Sequence, residues 1–225
     1  MSEIKAPKIA VFGGSFDPFH NGHLAMIEHF LGHFNVQNLF LLPAYRSPFK
    51  DESFFAPQAR LAMCECIATH INAQKNMPLI KVCDFEITQN KTIYSVESIE
   101  FLSQSLDTQQ FYFLLGFDSF VSLAQWKDIA QLIKRVEFVV FGRDSTSNED
   151  FTNAFDCLCA RVDSLTQKAK QASKDLLRAH FLPLHQDIAS STIKQNLARF
   201  GIQSVMQQIP PPLHSLLMNS AIIAH

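Results

Sequence analysis

Residues 8–23 read KIAVFGGSFDPFHNGH, and the order of residue types in this stretch decides the fold. Lys8–Phe12 (KIAVF) is a short apolar run stopped by Gly13-Gly14, the pattern of a buried strand entering a tight loop. From Asn21 onward Leu24, Ile27, Phe30 and Leu31 recur on one face of a helix. Strand, glycine loop and amphipathic helix make the first half of a βαβ unit.

The alternation continues outward from there. Asn38–Leu42 (NLFLL) is a second strand closed by Pro43, and Ala44–Ala56 is a polar-aromatic loop too long to be a mere connector. Pro57 opens a helix whose Leu61, Cys64 and Ala68 form an apolar stripe. Leu79–Phe85 is predicted as a strand, Tyr94–Leu102 as a helix, and Phe111–Leu115 (FYFLL) as the most apolar strand, ending at Gly116. Gln125–Lys134 reads as a helix and Val136–Phe141 as a strand. Residues 143–160 read as a polar, irregular insertion, 164–178 as a helix, His180–Leu184 as the last strand, and a final helix starts near Ser190.

Strands separated by helices predict an α/β fold: a doubly wound, Rossmann-like, mostly parallel sheet with helices on both faces. Ligands of such sheets sit at the carboxyl ends of the strands. With no internal repeat and no linker, residues 1–225 read as one domain, with a C-terminal helical segment from about 189 to 225 packed on it.

Composition removes several classes of function. The 225 residues carry 19 Lys+Arg against 21 Asp+Glu, a net charge of -2, which argues against a general nucleic-acid sleeve. Charged residues make up 18%, too apolar a balance for long disorder. No stretch reaches the roughly 18 apolar residues needed to span a bilayer. The opening Met1-Ser-Glu-Ile-Lys-Ala-Pro lacks the basic-then-apolar order of a signal peptide, so a cytoplasmic location is expected.

The five cysteines, at positions 64, 66, 83, 157 and 159, do not suggest a disulfide framework. The C-x-C pairs also lack the spacing of structural zinc sites. From Phe200 to His225 there is no Asp, Glu, Lys or Arg. That run is a segment docked on the core or a surface for a second copy of the chain, and the first reading is favoured.

Chemistry concentrates in Gly13–His23. Three of the seven glycines fall here, which suggests a backbone that turns tightly or approaches a ligand closely. A loop between strand and helix aims amide N–H groups above the sheet, a ready anion site. His20 and His23, three apart at the helix start, share a face and supply hydrogen bonds and, when protonated, positive charge to a phosphate chain.

The full string resembles the HxGH nucleotidyltransferases, and within them the nicotinate-nucleotide adenylyltransferases of bacterial NAD synthesis. Their opening motif G-G-[ST]-F-D-P-x-H-x-G-H is met at every fixed position by Gly13 to His23. Leu115-Gly116-Phe117-Asp118-Ser119 is similar to the family's I-G-x-D-[SN], which lines the nucleotide site. Trp126, the only tryptophan, falls where the family packs an aromatic residue on the pyridine ring. Val139–Arg143 resembles the strand and basic turn that follow, and Ile188–Lys194 (IASSTIK) is similar to I-S-[SA]-T-x-I-R, whose side chains contact the ATP phosphates.

The resemblance implies AMP transfer from ATP, with Mg2+, to nicotinate mononucleotide, giving deamido-NAD and pyrophosphate. It implies catalytic roles for His20 and His23. It assigns binding of ATP and of phosphate groups to Gly13, Gly14, Ser15, Phe16, Lys50, Gly116, Asp118, Ser190, Ser191 and Lys194. The acceptor falls to Tyr94, Ser95, Trp126, Lys127 and Arg143, and no protein side chain is expected to bind metal.

The departures from the family pattern are specific. The family's P-P-H-K is Ser47-Pro48-Phe49-Lys50 here, S-Y-T is Ile93-Tyr94-Ser95, and Asp144 replaces the proline after Arg143. In the last motif Ala189 replaces the first serine, Ser191 the threonine and Lys194 the arginine, a point charge instead of a bidentate fork. Two alternatives therefore stand beside that activity: transfer to nicotinamide mononucleotide or another phosphate ester, and a weakened ATP-binding sensor. A scaffold acting through its uncharged C-terminal surface would leave the phosphate-site residues unexplained. Asp17, beside Pro18, is as well placed to stabilise a turn as to act in catalysis. Phe49, Phe54 and Phe55 in the long loop either cap an acceptor pocket or pack, with packing the favoured reading, and His29 and His33 read as surface or partly buried polar residues.

Overall fold

The computed structural model describes residues 8–46, 53–108, 110–143, 146–166, 177–184 and 190–218. Its strands are β1 (Lys8–Gly14), β2 (Val36–Pro43), β3 (Ile80–Val82), β4 (Phe111–Gly116), β5 (Val136–Gly142) and β6 (Arg178–Pro183). They form one sheet in the order β3-β2-β1-β4-β5-β6, and every pair is parallel. The order reverses between β1 and β4, which makes their carboxyl ends the switch point of the sheet.

The register explains the apolar runs. Val11 lies between Phe40 and Phe113, and Phe113 faces Phe138. Side chains alternate across the sheet. Ala10, Phe12, Leu39, Leu41, Leu114 and Val139 bury one face against Ile27 and Phe30 of α1 (Asn21–His33) and Met63 and Ile67 of α2 (Pro57–Lys75). Val11, Phe40, Phe113, Phe138 and Val140 bury the other against Ile99 and Leu102 of α4 (Ser95–Leu106). With both faces covered, a strand keeps no polar side and reads as a continuous apolar run.

Several boundaries differ from the sequence reading. The strand expected over Leu79–Phe85 is only three residues long, and Phe85 instead opens the one-turn helix α3 (Phe85–Thr88). A helix α5 (Phe117–Ser122) follows β4 directly. The helix expected over Gln125–Lys134 is broken into a 3-10 turn (Leu123–Gln125) and the single turn α6 (Ile129–Leu132). The break comes from Trp126, which is extended, and Asp128, which is left-handed at φ 51°; neither fits a continuous helix.

The polar stretch 143–160 is not irregular either. It contains most of α7 (Asn148–Thr166); of the helix expected over 164–178, residues 164–166 belong to α7, 167–176 lie outside the described residues, and Arg178 already starts strand β6. Phe151, Ala154, Phe155, Leu158, Cys159 and Val162 all pack on the core, an i, i+3, i+4, i+7 stripe diluted by acidic and polar neighbours. Ser147 and Asp150 start it reciprocally: Asp150 N–H donates to Ser147 Oγ (3.1 Å) and Ser147 N–H to Asp150 Oδ2 (2.8 Å), the geometry of a capping box.

Beyond α8 (Ser190–Phe200) the chain runs through 3-10 turns at Ile202–Gln208 and Pro211–Leu213 into α9 (His214–Met218). The prolines 210–212 lack the N–H groups a single helix would need. Val205, Ile209, Leu213 and Leu217 are buried in the same cluster as α1 and α2. The described cysteines are all free thiols. Among the described residues no helix is long and apolar enough to cross a membrane.

Near the amino ends of the strands, Glu137 collects Lys8 (2.6 Å), Arg178 (2.7 Å) and His180 (3.4 Å). Burial pushes its carboxyl up, but the hydrogen bonds from Lys8 and Arg178 outweigh burial and hold it at about 2 against an ordinary 4.5. A lowered folded value means the stabilisation is complete above pH 4.5 and is lost as pH falls toward 2. Glu137→Gln is therefore expected to cost about 1–3 kcal/mol at pH 7. The deficit, read from urea midpoints, should shrink steadily below pH 4.5; a deficit independent of pH would refute the pairing.

Candidate active site

A cavity of about 600 Å³ opens at the carboxyl ends of β1, β4 and β5, across the switch point. Gly13 and Gly14 are the last residues of β1 and extended, so the tight turn expected of them is made elsewhere. Phe16 makes it, at φ 47°, a left-handed conformation costly for a bulky residue. Its ring is buried, stacked on Phe19 at 5.3 Å and edge-on to Phe12. The glycines keep the approach close: a Cβ on Gly14 would stand 3.3 Å from the Phe16 ring. At the end of β5 a Cβ on Gly142 would stand 2.5 Å from Cζ of Phe181.

His20 caps α1 and His23 lies in its first turn. Their rings stack with centroids 3.6 Å apart and planes at 21°. The His20 backbone N–H donates to His23 Nδ1 at 3.2 Å. That bond makes Nδ1 an acceptor and leaves Nε2 as the protonated nitrogen of a neutral ring, a donor for an anion without prior protonation. Phe16 and Phe19 pack on the His23 ring at 5.1 and 5.2 Å and fix it. Both histidines line the cavity together with Gly13, Gly14, Ser15 and Phe16.

The opposite wall gathers Tyr94, Ser95, Trp126 and Lys127. Tyr94 caps α4, its N–H bonded to Glu97 Oε2 at 2.9 Å. Trp126 Nε1 donates to Ser122 Oγ at 3.4 Å, and the ring meets Phe113 edge-on. The helix break at 126–128 is what brings Trp126 and Lys127 into this wall. Lys127 Nζ stands 4.5 Å from the Tyr94 ring centre and 3.7 Å from Glu97 Oε1.

Gly116, Asp118 and Arg143 complete the rim, with Asp118 Oδ2 and Arg143 Nη2 paired at 2.9 Å. Ser191 lines the cavity from the first turn of α8, which Ser190 begins. Lys194 is not among the lining residues; its Nζ lies 3.4 Å from Asp17 Oδ2. Lys50 and Phe49 lie outside the described residues. Phe55 is core, and Phe54 is partly buried against it. His29 is half-buried and His33 exposed on α1.

Of the two groups that hold this loop, sequence reasoning missed Arg60 and left Asp17 with two readings. Arg60, fully buried in α2, donates to the carbonyls of Phe55 (3.1 Å), Ser15 (2.8 Å), Tyr45 (2.7 Å) and Ala44. Desolvation lowers its pKa, and Asp17 counters it. Asp17 is itself 2% exposed and accepts the N–H groups of Phe54 (2.9 Å) and Phe55 (2.8 Å). Nothing in the spacing announces Arg60; the Asp17 signal lay within the motif but carried two readings.

Asp17→Asn keeps the volume but gives up the charge facing Lys194 and one of two acceptors. It is expected to cost about 1.5–3 kcal/mol, the range for hydrogen bonds to charged groups. A denaturant midpoint unchanged from the parent would show that Asp17 does not hold the loop.

Crevices at the switch point of open parallel sheets, with helix amino ends aimed into them, hold nucleotides and other phosphate-bearing ligands. The class is thus an α/β nucleotide-binding protein. The Cytidylyltransferase-like family model matches residues 11–196. A probable nicotinate-nucleotide adenylyltransferase of Helicobacter hepaticus is 32% identical, covering 93% of this chain and 94% of that protein. Its Helicobacter pylori counterpart is 37% identical over 63% of this chain and 78% of its own length. A nicotinic acid mononucleotide adenylyltransferase of Plasmodium falciparum, solved with NaAD, shares the fold at TM-score 0.67 and 15% identity, covering 96% of this chain and 97% of that one. The chain belongs to the Cytidylyltransferase-like family and, within it, to the nicotinate-nucleotide adenylyltransferases.

Proposed function

We propose that this chain transfers the AMP moiety of ATP to nicotinate mononucleotide, releasing pyrophosphate and forming deamido-NAD. The observation that carries the reading is the stacked His20–His23 pair on the phosphate-type loop, in one cavity with Trp126 and Tyr94. A phosphate oxygen of the mononucleotide bonds to the α-phosphorus, the bond from that phosphorus to the bridging oxygen breaks, and pyrophosphate leaves with it. The nucleophile is already an anion, so no general base is required. The protein's part is alignment and neutralisation of charge on the transferring group.

In this reading His23 Nε2–H and the His20 ring hold the α-phosphate. Gly13, Gly14, Ser15 and the Phe16 backbone seat phosphate oxygens, and Ser190, Ser191, Lys50 and Lys194 serve the distal phosphates. Gly116 and Asp118 line the nucleotide side. Trp126 packs on the pyridine ring, with Tyr94, Ser95, Lys127 and Arg143 around the acceptor. Magnesium belongs to this reading as part of the substrate, carried on the triphosphate.

The test is pyrophosphate release from MgATP with nicotinate and nicotinamide mononucleotides side by side. Release favouring nicotinate mononucleotide is expected. ATP binding without release would favour the sensor reading, which the engagement of Lys194 with Asp17 would then help to explain.

A further inference from the structure

One ionisable group of the cavity has no part in that chemistry. Glu86, in α3, lines the cavity beside Ile93, Tyr94 and Ser95 although it is only 6% exposed. Its Oε1 accepts a bond from Ser98 Oγ at 2.6 Å; among the described residues no hydrogen bond reaches Oε2. Around it stand the Arg60 guanidinium from α2 and Glu97 from α4, the latter paired with Lys127. Burial dominates, ahead of the Ser98 bond and Arg60, and pushes the carboxyl up to about 7. A raised folded value makes ionisation work against folding as pH rises from 4.5 through 7. A buried carboxyl at a cavity wall, with one oxygen held by Ser98 and the other unbonded among the described residues, is placed to meet a ligand.

We propose that Glu86 is a specificity-determining residue whose cavity-facing carboxyl oxygen reads the substituent on the acceptor's pyridine ring, setting the preference between carboxylate- and carboxamide-bearing mononucleotides. The inference rests on the adenylyl-transfer reading above. In its neutral form Oε2–H donates to a carboxylate. In its ionised form it repels a carboxylate and accepts an N–H of a carboxamide. The pyridinium and the phosphate are common to both acceptors and cancel in the ratio of their kcat/KM values.

The experiment compares the parent and Glu86→Gln with both mononucleotides, by pyrophosphate release from pH 5.5 to 8.5. The parent's nicotinate-to-nicotinamide ratio should fall about tenfold across that range, as one unpaired like charge appears. The Glu86→Gln variant, which keeps an acceptor for Ser98 and a fixed N–H donor, should hold a flat ratio. Calorimetric titration of nicotinate mononucleotide at pH 7.5, in two buffers of different ionisation enthalpy, should show uptake of about half a proton by the parent and none by the variant. An unfolding midpoint above the parent's at pH 8 and equal to it at pH 5 certifies that the variant is folded. A variant ratio that follows the parent's pH dependence overturns the assignment of Glu86 alone. No release by the parent with either acceptor overturns the adenylyl-transfer reading, and this inference with it.

Discussion

Replacing His20 or His23 with alanine is expected to lower kcat by about 10²–10³, the loss seen when one preorganised donor to a transition-state oxyanion is removed. KM for ATP should change less, because the contact strengthens as charge builds on the transferring phosphoryl group. The double variant should lose little more than the worse single one, since two stacked rings serving one phosphoryl act as a unit. Folding will not be untouched. His20 is 4% exposed and the His23 ring sits among Phe12, Phe16 and Phe19, so alanine leaves a gap. A cost of about 1 kcal/mol, visible as a small shift in thermal midpoint, is the expected accompaniment. Unfolding without a folded, slow enzyme, or full turnover in both variants, would remove the histidines from the phosphate site.

The second large effect belongs to Arg60. Arg60→Met preserves most of the volume but strands carbonyls of Ser15, Ala44, Tyr45 and Phe55 without their donor. Removing one side of a buried polar network costs about 3–5 kcal/mol, read from urea midpoints. Arg60→Lys should recover little of it, because one ammonium cannot spread across the carbonyls that a planar fork reaches. Activity should fall with loop order even at temperatures where the variant stays folded. A loss below about 1 kcal/mol would mean that water replaces the guanidinium.

Much of this was legible from residue order. Alternating apolar runs and helical stripes announced the doubly wound sheet, and the strands β1, β2, β4 and β5 fall within a few residues of their expected positions. The error at α7 was one of composition: acidic and polar residues masked a stripe that the spacing of Phe151, Leu158 and Val162 already contained. The error at 125–134 was of another kind. Asp128 is a residue type that tolerates the left-handed conformation it adopts, but tolerance is not a requirement, so the break at 126–128 was not legible from the residue alone. The site divides the same way. Residues 13–23 carried their chemistry in one contiguous string, whereas Arg60 and Glu86 gain theirs from partners 45 and 12 positions away. Burial creates those roles, and a one-dimensional pattern does not display burial.

Gly142 has a consequence on a longer timescale. Because the space its side chain would fill is already held by the Phe181 ring, with Thr146 close behind it, the two positions drift more readily in one order than in the other. A lineage that enlarges residue 142 first passes through a clashing intermediate; one that trims residue 181 first passes through a tolerable void. History at this corner of the cavity is therefore directional, and a side chain at 142 should follow, rather than precede, the trimming or turning aside of the phenylalanine.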